Sequence, residues 1–194
     1  MEIRIEKKPL AGILAHAAKV AVKRANMTAL EAVKLEALPD GRVVVSATDL
    51  ALGFAHATEA KVGRPGATLV DARLFSDVVR AAPTDEVSIE QKNNALVVRS
   101  GPSTWKLATM GASLFPGLDP AQPKDVLDCG KHDVRAALRR VLYAVSDDEA
   151  RHALCGVLFE PYQDRLVLVA TDSHRMAKDE LEEGSAPSKG GWLK

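Results

Sequence analysis

The feature that most constrains this chain is that it repeats itself. Ala29-Leu30-Glu31-Ala32-Val33-Lys34-Leu35-Glu36 returns as Ala153-Leu154-Cys155-Gly156-Val157-Leu158-Phe159-Glu160 at an offset of 124. Val43 to Asp49, VVVSATD, returns as Leu166 to Asp172, LVLVATD, at an offset of 123. Apolar matches between strands come cheaply. Two segments in register, each with a shared polar residue, define instead a repeating unit of about 120 residues. A chain of 194 residues then holds one full unit and a little over half of a second.

Hydrophobic periodicity gives the unit its contents. Leu10, Ile13, Leu14, Ala17 and Ala21 recur at helical spacing and form one apolar face. A shorter helix is expected from about Ala72 to Ala82, with Asp71 as N-cap and Phe75, Val78, Val79 and Ala82 facing inward. A third carries Val134, Leu138, Val141, Leu142 and Val145 on one stripe. Strand patterns follow each helix: Val33 to Ala37 and Val43 to Val45, then Val87 to Ile89, Ala95 to Arg99 and Trp105 to Ala108, then Val157 to Glu160 and Leu166 to Ala170. Pro39-Asp40-Gly41, Asn93-Asn94 and Gly101-Pro102 supply turns between them. The rhythm is a short strand, a helix and about three strands, met three times. Phe115 to Pro123 reads as a linker after the second round.

Charge is distributed with the same regularity. The total is zero, from 26 Lys and Arg against 26 Asp and Glu, which excludes a strongly basic binder of the histone type. The basic residues nonetheless gather on helices: Lys7, Lys8, Lys19, Lys23 and Arg24 with no acid between Lys7 and Leu30, and Lys131, Arg135, Arg139 and Arg140 against Asp133 alone. Acid collects at Asp147-Asp148-Glu149 and from Asp179 to Glu183. A hydrophobic content of 46% excludes a disordered chain. The longest uncharged stretch, Pro9 to Ala18, is too short to span a bilayer, and Met1 to Glu6 does not read as a signal peptide. A cytoplasmic protein without membrane partners is therefore expected, with Cys129 and Cys155 as reduced thiols.

Catalytic and cofactor chemistry find little support. The five histidines lack metal-ligand spacing, neither cysteine belongs to a CxxC pair, and there is no GxxxxGK or HExxH, so no metal or cofactor is expected. Asp172, Ser173 and His174 contain the residue types of a hydrolase triad. Consecutive on a strand or its end, they would alternate in direction.

Taken in order, several pieces resemble the β sliding clamp, the processivity factor of bacterial DNA polymerase III. They are Lys23-Arg24, Ala47-Thr48-Asp49-Leu50, Gly66-Ala67-Thr68 leading into Asp71-Ala72-Arg73, Leu96 to Gly101 and Phe115-Pro116-Gly117-Leu118. Ser146-Asp147-Asp148-Glu149-Ala150-Arg151, Gly156 to Glu160 and Ala170-Thr171-Asp172-Ser173-His174-Arg175 complete the series. The resemblance implies an α+β DNA-clamp fold of strand-helix-three-strand modules, with helices on the DNA side and sheets outside. It implies an N-terminal domain of two modules over residues 1–120, a linker over 121–127, and the first half of a central domain over 128–194. Trp192-Leu193-Lys194 would begin the next module.

The function so implied is that of a non-catalytic accessory subunit that encircles duplex DNA and tethers the replicative polymerase. Its partners would be double-stranded DNA without sequence preference, DNA polymerase III and clamp-loader subunits, and other copies of itself as a homo-oligomer. Arg24 and Arg73 match family positions that contact DNA, and Asp148, His152 and Ala153 match a second DNA-contacting stretch. Lys19, Lys23, Arg135 and Arg139 are candidates from helix-face charge alone. Leu154, Thr171, Ser173, His174, Arg175 and Met176 match half of the cleft that receives partner peptides. Ser173 stands where the family usually has glycine, a change expected to narrow that groove. The rest of the cleft comes from family residues beyond the sequence matched here. The alternative is a protein-interaction module that does not encircle DNA, binding clamp partners or a full-length clamp. For the incomplete second domain, a partial sequence and self-association of two half-domains are the two expectations.

Overall fold

The computed structural model describes residues 1–22, 27–118, 133–162, 165–182 and 191–193. The chain falls into two compact units, 1–120 and 121–194. The first contains β1 (Glu2–Glu6), α1 (Lys7–Val20), β2 (Ala32–Ala37), β3 (Arg42–Thr48), β4 (Gly53–Glu59), β5 (Lys61–Arg64), β6 (Gly66–Asp71), α2 (Ala72–Ala81), β7 (Glu86–Lys92), β8 (Ala95–Ser100) and β9 (Ser103–Gly111). The second contains α3 (Val134–Val141), β10 (Val157–Tyr162), β11 (Arg165–Thr171), β12 (Met176–Glu182) and β13 (Gly191–Leu193).

The helices form where the apolar spacing places them. In α1, Leu10, Ile13, Leu14 and Ala17 are buried at i, i+3, i+4 and i+7. Pro9 sits in its first turn, where a missing N–H costs no helical bond. In α2, the Asp71 carboxylate accepts from the Arg73 and Leu74 backbone N–H groups at 3.0 and 2.7 Å, the expected N-cap, and Phe75 and Val79 are fully buried. In α3, Asp133 caps Ala136 N–H at 2.9 Å and Ala137 and Val141 face the core. Helical geometry stops at Val141 and tightens to a 3₁₀ turn over Leu142–Ala144, so the stripe expected to run to Val145 is shorter as α-helix.

The first unit is one nine-stranded sheet in the order β4-β3-β2-β6-β9-β8-β7-β1-β5. Its symmetry is internal. β1-α1-β2-β3-β4 and β6-α2-β7-β8-β9 are two copies of one module, joined where β2 pairs β6 and again where β7 pairs β1, both antiparallel. The copies differ most in their last strand. β9 pairs β8 with its first part and β6 with its last, as a single strand, whereas its counterpart breaks at Ala60 into β4, which pairs β3, and β5, which pairs β1. α1 packs on α2, and Ile3, Leu10, Leu14, Val33, Leu35, Val43, Val45, Phe75, Val79, Ile89, Leu96 and Val98 belong to one core cluster. Neither module buries its apolar face without the other.

The second unit repeats the first module in register. Lys34 faces Ser46 across β2 and β3, and Leu158 faces Val169 across β10 and β11; the partners differ by the sequence offsets of 124 and 123. Thr48 faces Gly53, and Thr171 faces Met176, at the same offset of 123. β13 pairs β10 antiparallel, as β6 pairs β2. A separate core of Ala137, Val141, Ala144, Val157, Phe159, Leu166, Leu168, Ala170 and Ala177 holds this unit.

Several strands are additional to those expected from the sequence. Glu2–Glu6 is a strand whose Ile3 and Ile5 are buried. Gly53–Glu59 is almost wholly exposed and has no apolar stripe to reveal it. Of the acidic segment, Asp179 to Glu182 lie within an edge strand, β12, and two of these charges are paired: Asp179 with Arg140, and Glu180 with Lys178 and Arg165. The expected linker over 121–127 lies outside the described residues.

Candidate functional site

Most helix cations find no carboxylate; Arg80, paired with Asp77, and Arg140, paired with Asp179, are the exceptions among the described residues. Lys8, Lys19, Arg135 and Arg139 are exposed and Arg73 is half-buried, and none forms an ion pair with a described residue. Arg73 lies in the first turn of α2, its backbone engaged by Asp71 and its guanidinium unpaired. Most strand cations are compensated instead. Glu90 is approached by Arg64, Lys92 and Arg99, Glu36 by Lys34, and Asp40 by Arg42. Arg4, Lys61 and Lys106 are the strand exceptions. Arg24 and Lys23, two of the expected DNA contacts, lie outside the described residues.

The shared Ala-Thr-Asp sequence proves to be a turn with a fixed hydrogen-bond plan. Between β3 and β4, Thr48 Oγ1 donates to Leu52 O at 2.9 Å and accepts from Leu50 N–H at 3.0 Å, while Asp49 Oδ1 accepts from Ala51 and Leu52 N–H. Between β11 and β12, Thr171 Oγ1 donates to Arg175 O at 2.7 Å and accepts from Ser173 N–H at 3.2 Å. Asp172 Oδ1 accepts from His174 and Arg175 N–H, both at 2.9 Å. The third residue of each turn has φ of 77°, Leu50 in one and Ser173 in the other. That conformation favours glycine, so both leucine and serine are held there against a backbone preference. These backbone donors hold Asp49 and Asp172 below the usual carboxylate range, through Leu52 N–H and Arg175 N–H respectively.

The turn also disposes of the triad. Asp172, Ser173 and His174 do not lie on a strand, and the Asp172 carboxylate caps backbone N–H groups and pairs with Arg175 Nε at 2.9 Å. Among the described residues, no three His, Cys, Asp or Glu side chains gather as a metal site would require.

A second segment meets this turn. Residues Glu149–Leu154 form a kinked 3₁₀ segment, opened by Asp148, whose Oδ1 accepts from Ala150 N–H at 3.1 Å. Ser146 N–H donates to Leu154 O at 3.0 Å and closes the loop. Arg151 donates from Nε to Asp148 Oδ2 at 2.9 Å and from Nη1 to Ser173 Oγ at 3.0 Å, so the loop carrying Leu154 is tied to the turn carrying Ser173. The Arg151 hydrogen bond also holds the Asp148 carboxyl below its ordinary range. His152 and Ala153 are exposed on the same loop, so the second set of DNA candidates adjoins the peptide candidates. Met176 is 67% exposed, a large apolar side chain at the start of an edge strand.

Tyr143, not singled out in the sequence, and Leu142, expected on the apolar stripe of the third helix but 51% exposed, complete the surroundings. Leu142 and Tyr143 are exposed at the end of α3, in a turn packed on β11 and β12, and the Arg175 guanidinium lies 5.7 Å from the Tyr143 ring centroid. Tyr143 carries no periodic signal, and Leu142 leaves the expected stripe because the helix tightens to a 3₁₀ turn at that residue.

The comparisons with known proteins converge. Residues 1–119 match the family model described as DNA polymerase III beta subunit, N-terminal domain, and residues 129–189 match the one described as DNA polymerase III beta subunit, central domain. The beta sliding clamp of Salmonella typhimurium is 33% identical over 152 residues, which cover 77% of this chain and 42% of that protein. That of Bacillus subtilis is 29% identical over 185 residues, covering 91% and 49%. The solved sliding clamp of Bacillus subtilis matches with a TM-score of 0.87 at 25% identity, over 100% of this chain and 53% of that one. The clamp of Pseudomonas aeruginosa bound to griselimycin matches with a TM-score of 0.88 at 26% identity, again over 100% and 53%. This chain spans about half the length of the relatives it matches.

Proposed function

The chain belongs to the DNA polymerase III beta subunit family, and on that premise we propose that it acts as a sliding-clamp subunit. In this reading residues 1–120 are the N-terminal clamp domain, 121–127 a linker and 128–194 the first module of the central domain. The subunit is cytoplasmic and non-catalytic, associates with other copies of itself around duplex DNA, and tethers the replicative polymerase.

The observation that carries the DNA reading is the placement of free cations on helices, with the strand cations largely neutralised by neighbours. Lys and Arg presented in this way contact phosphates without reading bases, which is what sliding requires. A few such contacts give a Kd of roughly 10⁻⁴ to 10⁻⁶ M at physiological salt, too weak to retain a polymerase, so topological enclosure supplies what affinity does not. Arg73 is the contact we assign first, followed by Lys19, Arg135 and Arg139.

The exposed apolar group of Leu142, Tyr143 and Met176 favours a second role for the same chain, as the receiver of a partner peptide. Leu154 and the turn from Thr171 to Met176 would form one wall, with Ser173, His174 and Arg175 at its rim.

Titration of a fluorescent duplex from 50 to 200 mM salt tests the DNA role. Arg73→Ala is expected to weaken binding equally for unrelated sequences and to reduce the slope of log K against log salt by about one. A slope unchanged in Arg73→Ala removes Arg73 from the interface. An absence of binding at 50 mM salt refutes the DNA role for the chain in this form.

A further inference from the structure

The two Thr-Asp turns share every backbone bond, and the second adds two side-chain bonds: Arg175 Nε to Asp172 Oδ2 within the turn, and Arg151 Nη1 to Ser173 Oγ from outside it. At Leu50 the side chain at φ 77° is 65% exposed and, as an alkyl group, can hold nothing by hydrogen bonding. At Ser173, with the same φ, the hydroxyl accepts from Arg151 Nη1 at 3.0 Å. The same guanidinium reaches Asp148 with its Nε, and Asp148 caps the start of the loop that Arg151 belongs to. Arg151 is also where that loop departs from helical geometry, at φ −109° and ψ 61°. A planar guanidinium held along two edges is a rigid strut, and this one sits at the kink.

We propose that Ser173 is a positioning residue: through Arg151 it locks the loop of residues 148–154 onto the turn of residues 171–176, and so fixes the spacing between Leu154 and Met176 that a partner peptide meets. The lock stands on the hydrogen bonds themselves. Its consequence for a peptide rests on the reading under Proposed function.

Ser173→Gly removes the hydroxyl while easing the positive φ, so the variant has no reason to unfold. Asn both tolerates the left-handed conformation and offers a side-chain oxygen, which makes Ser173→Asn the restoring variant. Hydrogen exchange on the full chain reads the lock directly. In Ser173→Gly the amides of residues 149–155 are expected to exchange about three to ten times faster, the worth of one hydrogen bond, with β10 and β11 unchanged. Ser173→Asn should return them toward the parent. Unchanged exchange in 149–155, or an equal rise in β10 and β11, overturns the lock. A short fluorescent peptide carrying large apolar side chains, chosen to match the exposed Leu142, Tyr143 and Met176, reads the consequence. It should bind Ser173→Gly more weakly by a similar factor, and equal binding with a loosened loop overturns the positioning role. If the parent chain does not take up the peptide at all, the peptide reading falls, while the exchange result still decides the lock.

Discussion

Phe75 on α2 is the largest completely buried side chain among the described residues, and its removal tests whether the two modules of the first unit form one core. A buried aromatic ring withdraws roughly 150–250 Å² from water, worth about 4–6 kcal/mol at 25 cal/mol/Å². Alanine retains the Cβ and neighbours relax partly into the space, which brings the expected cost of Phe75→Ala to about 4 kcal/mol. For a unit of this size, each kcal/mol lowers the midpoint by about 3–5 °C, so a fall of about 12–20 °C follows. The core cluster containing Phe75 draws on both modules, whereas the second unit has its own cluster. Differential scanning calorimetry should therefore show a single transition for the first unit, moved as a whole, with the second unit's transition in place. Leu74→Ala, one residue away but 58% exposed, should move it little. The reasoning is refuted if Leu74→Ala matches Phe75→Ala. It is also refuted if the first unit's transition splits in two, because the modules would then have separate cores.

Two further outcomes follow from the turns and their charges. Leu50→Gly relieves a non-glycine residue at φ 77° and should stabilise the first unit by about 1 kcal/mol, seen as a rise of about 3–5 °C in its calorimetric midpoint; a fall would mean that the leucine makes a contact which outweighs the strain. In the second unit Asp148, Asp172 and Glu180 are all held below their usual range, by Arg151, by Arg175 N–H and by Lys178 respectively. A depressed carboxyl contributes stability above its unfolded pKa and loses it as pH falls through the folded one. The second unit's midpoint should thus be level from pH 8 to 5 and decline below about pH 4, with the unfolded carboxyls near 4. A decline already complete by pH 5, followed in the same calorimeter, would contradict this assignment.

Much of the fold was legible because its signals are local. Asp71 two residues before Arg73, the apolar run Leu10-Ile13-Leu14-Ala17, and the turn at Pro39-Asp40-Gly41 each act within a few positions of themselves. The repeat was legible for a deeper reason. Thr48 with Asp49, and Thr171 with Asp172, satisfy the same orphan backbone donors, so the turn demands the same residues twice. What escaped was β4 and β5, where exposure on both faces erases alternation, and β12, whose acidic residues resemble a loop until their cations are in place. Asp172, Ser173 and His174, expected to alternate along a strand or its end, lie instead in a turn, because Thr171 and Asp172 cap its backbone donors.

The sequence by itself determined the module: its helix caps, its apolar faces, its turn chemistry and the offset at which all of these recur. Those are properties of spacing along the chain, and spacing is written in the sequence. The tertiary structure decided which groups meet. It paired Arg151 with Ser173 across 22 residues, set Arg175 beside Tyr143, and neutralised Glu90 while leaving Arg73 free. Such contacts depend on where the backbone brings distant side chains, and an exposed residue carries no periodic signal of its future neighbour. The candidate site is built from residues of that kind, so the scaffold could be read before folding and the site only after it.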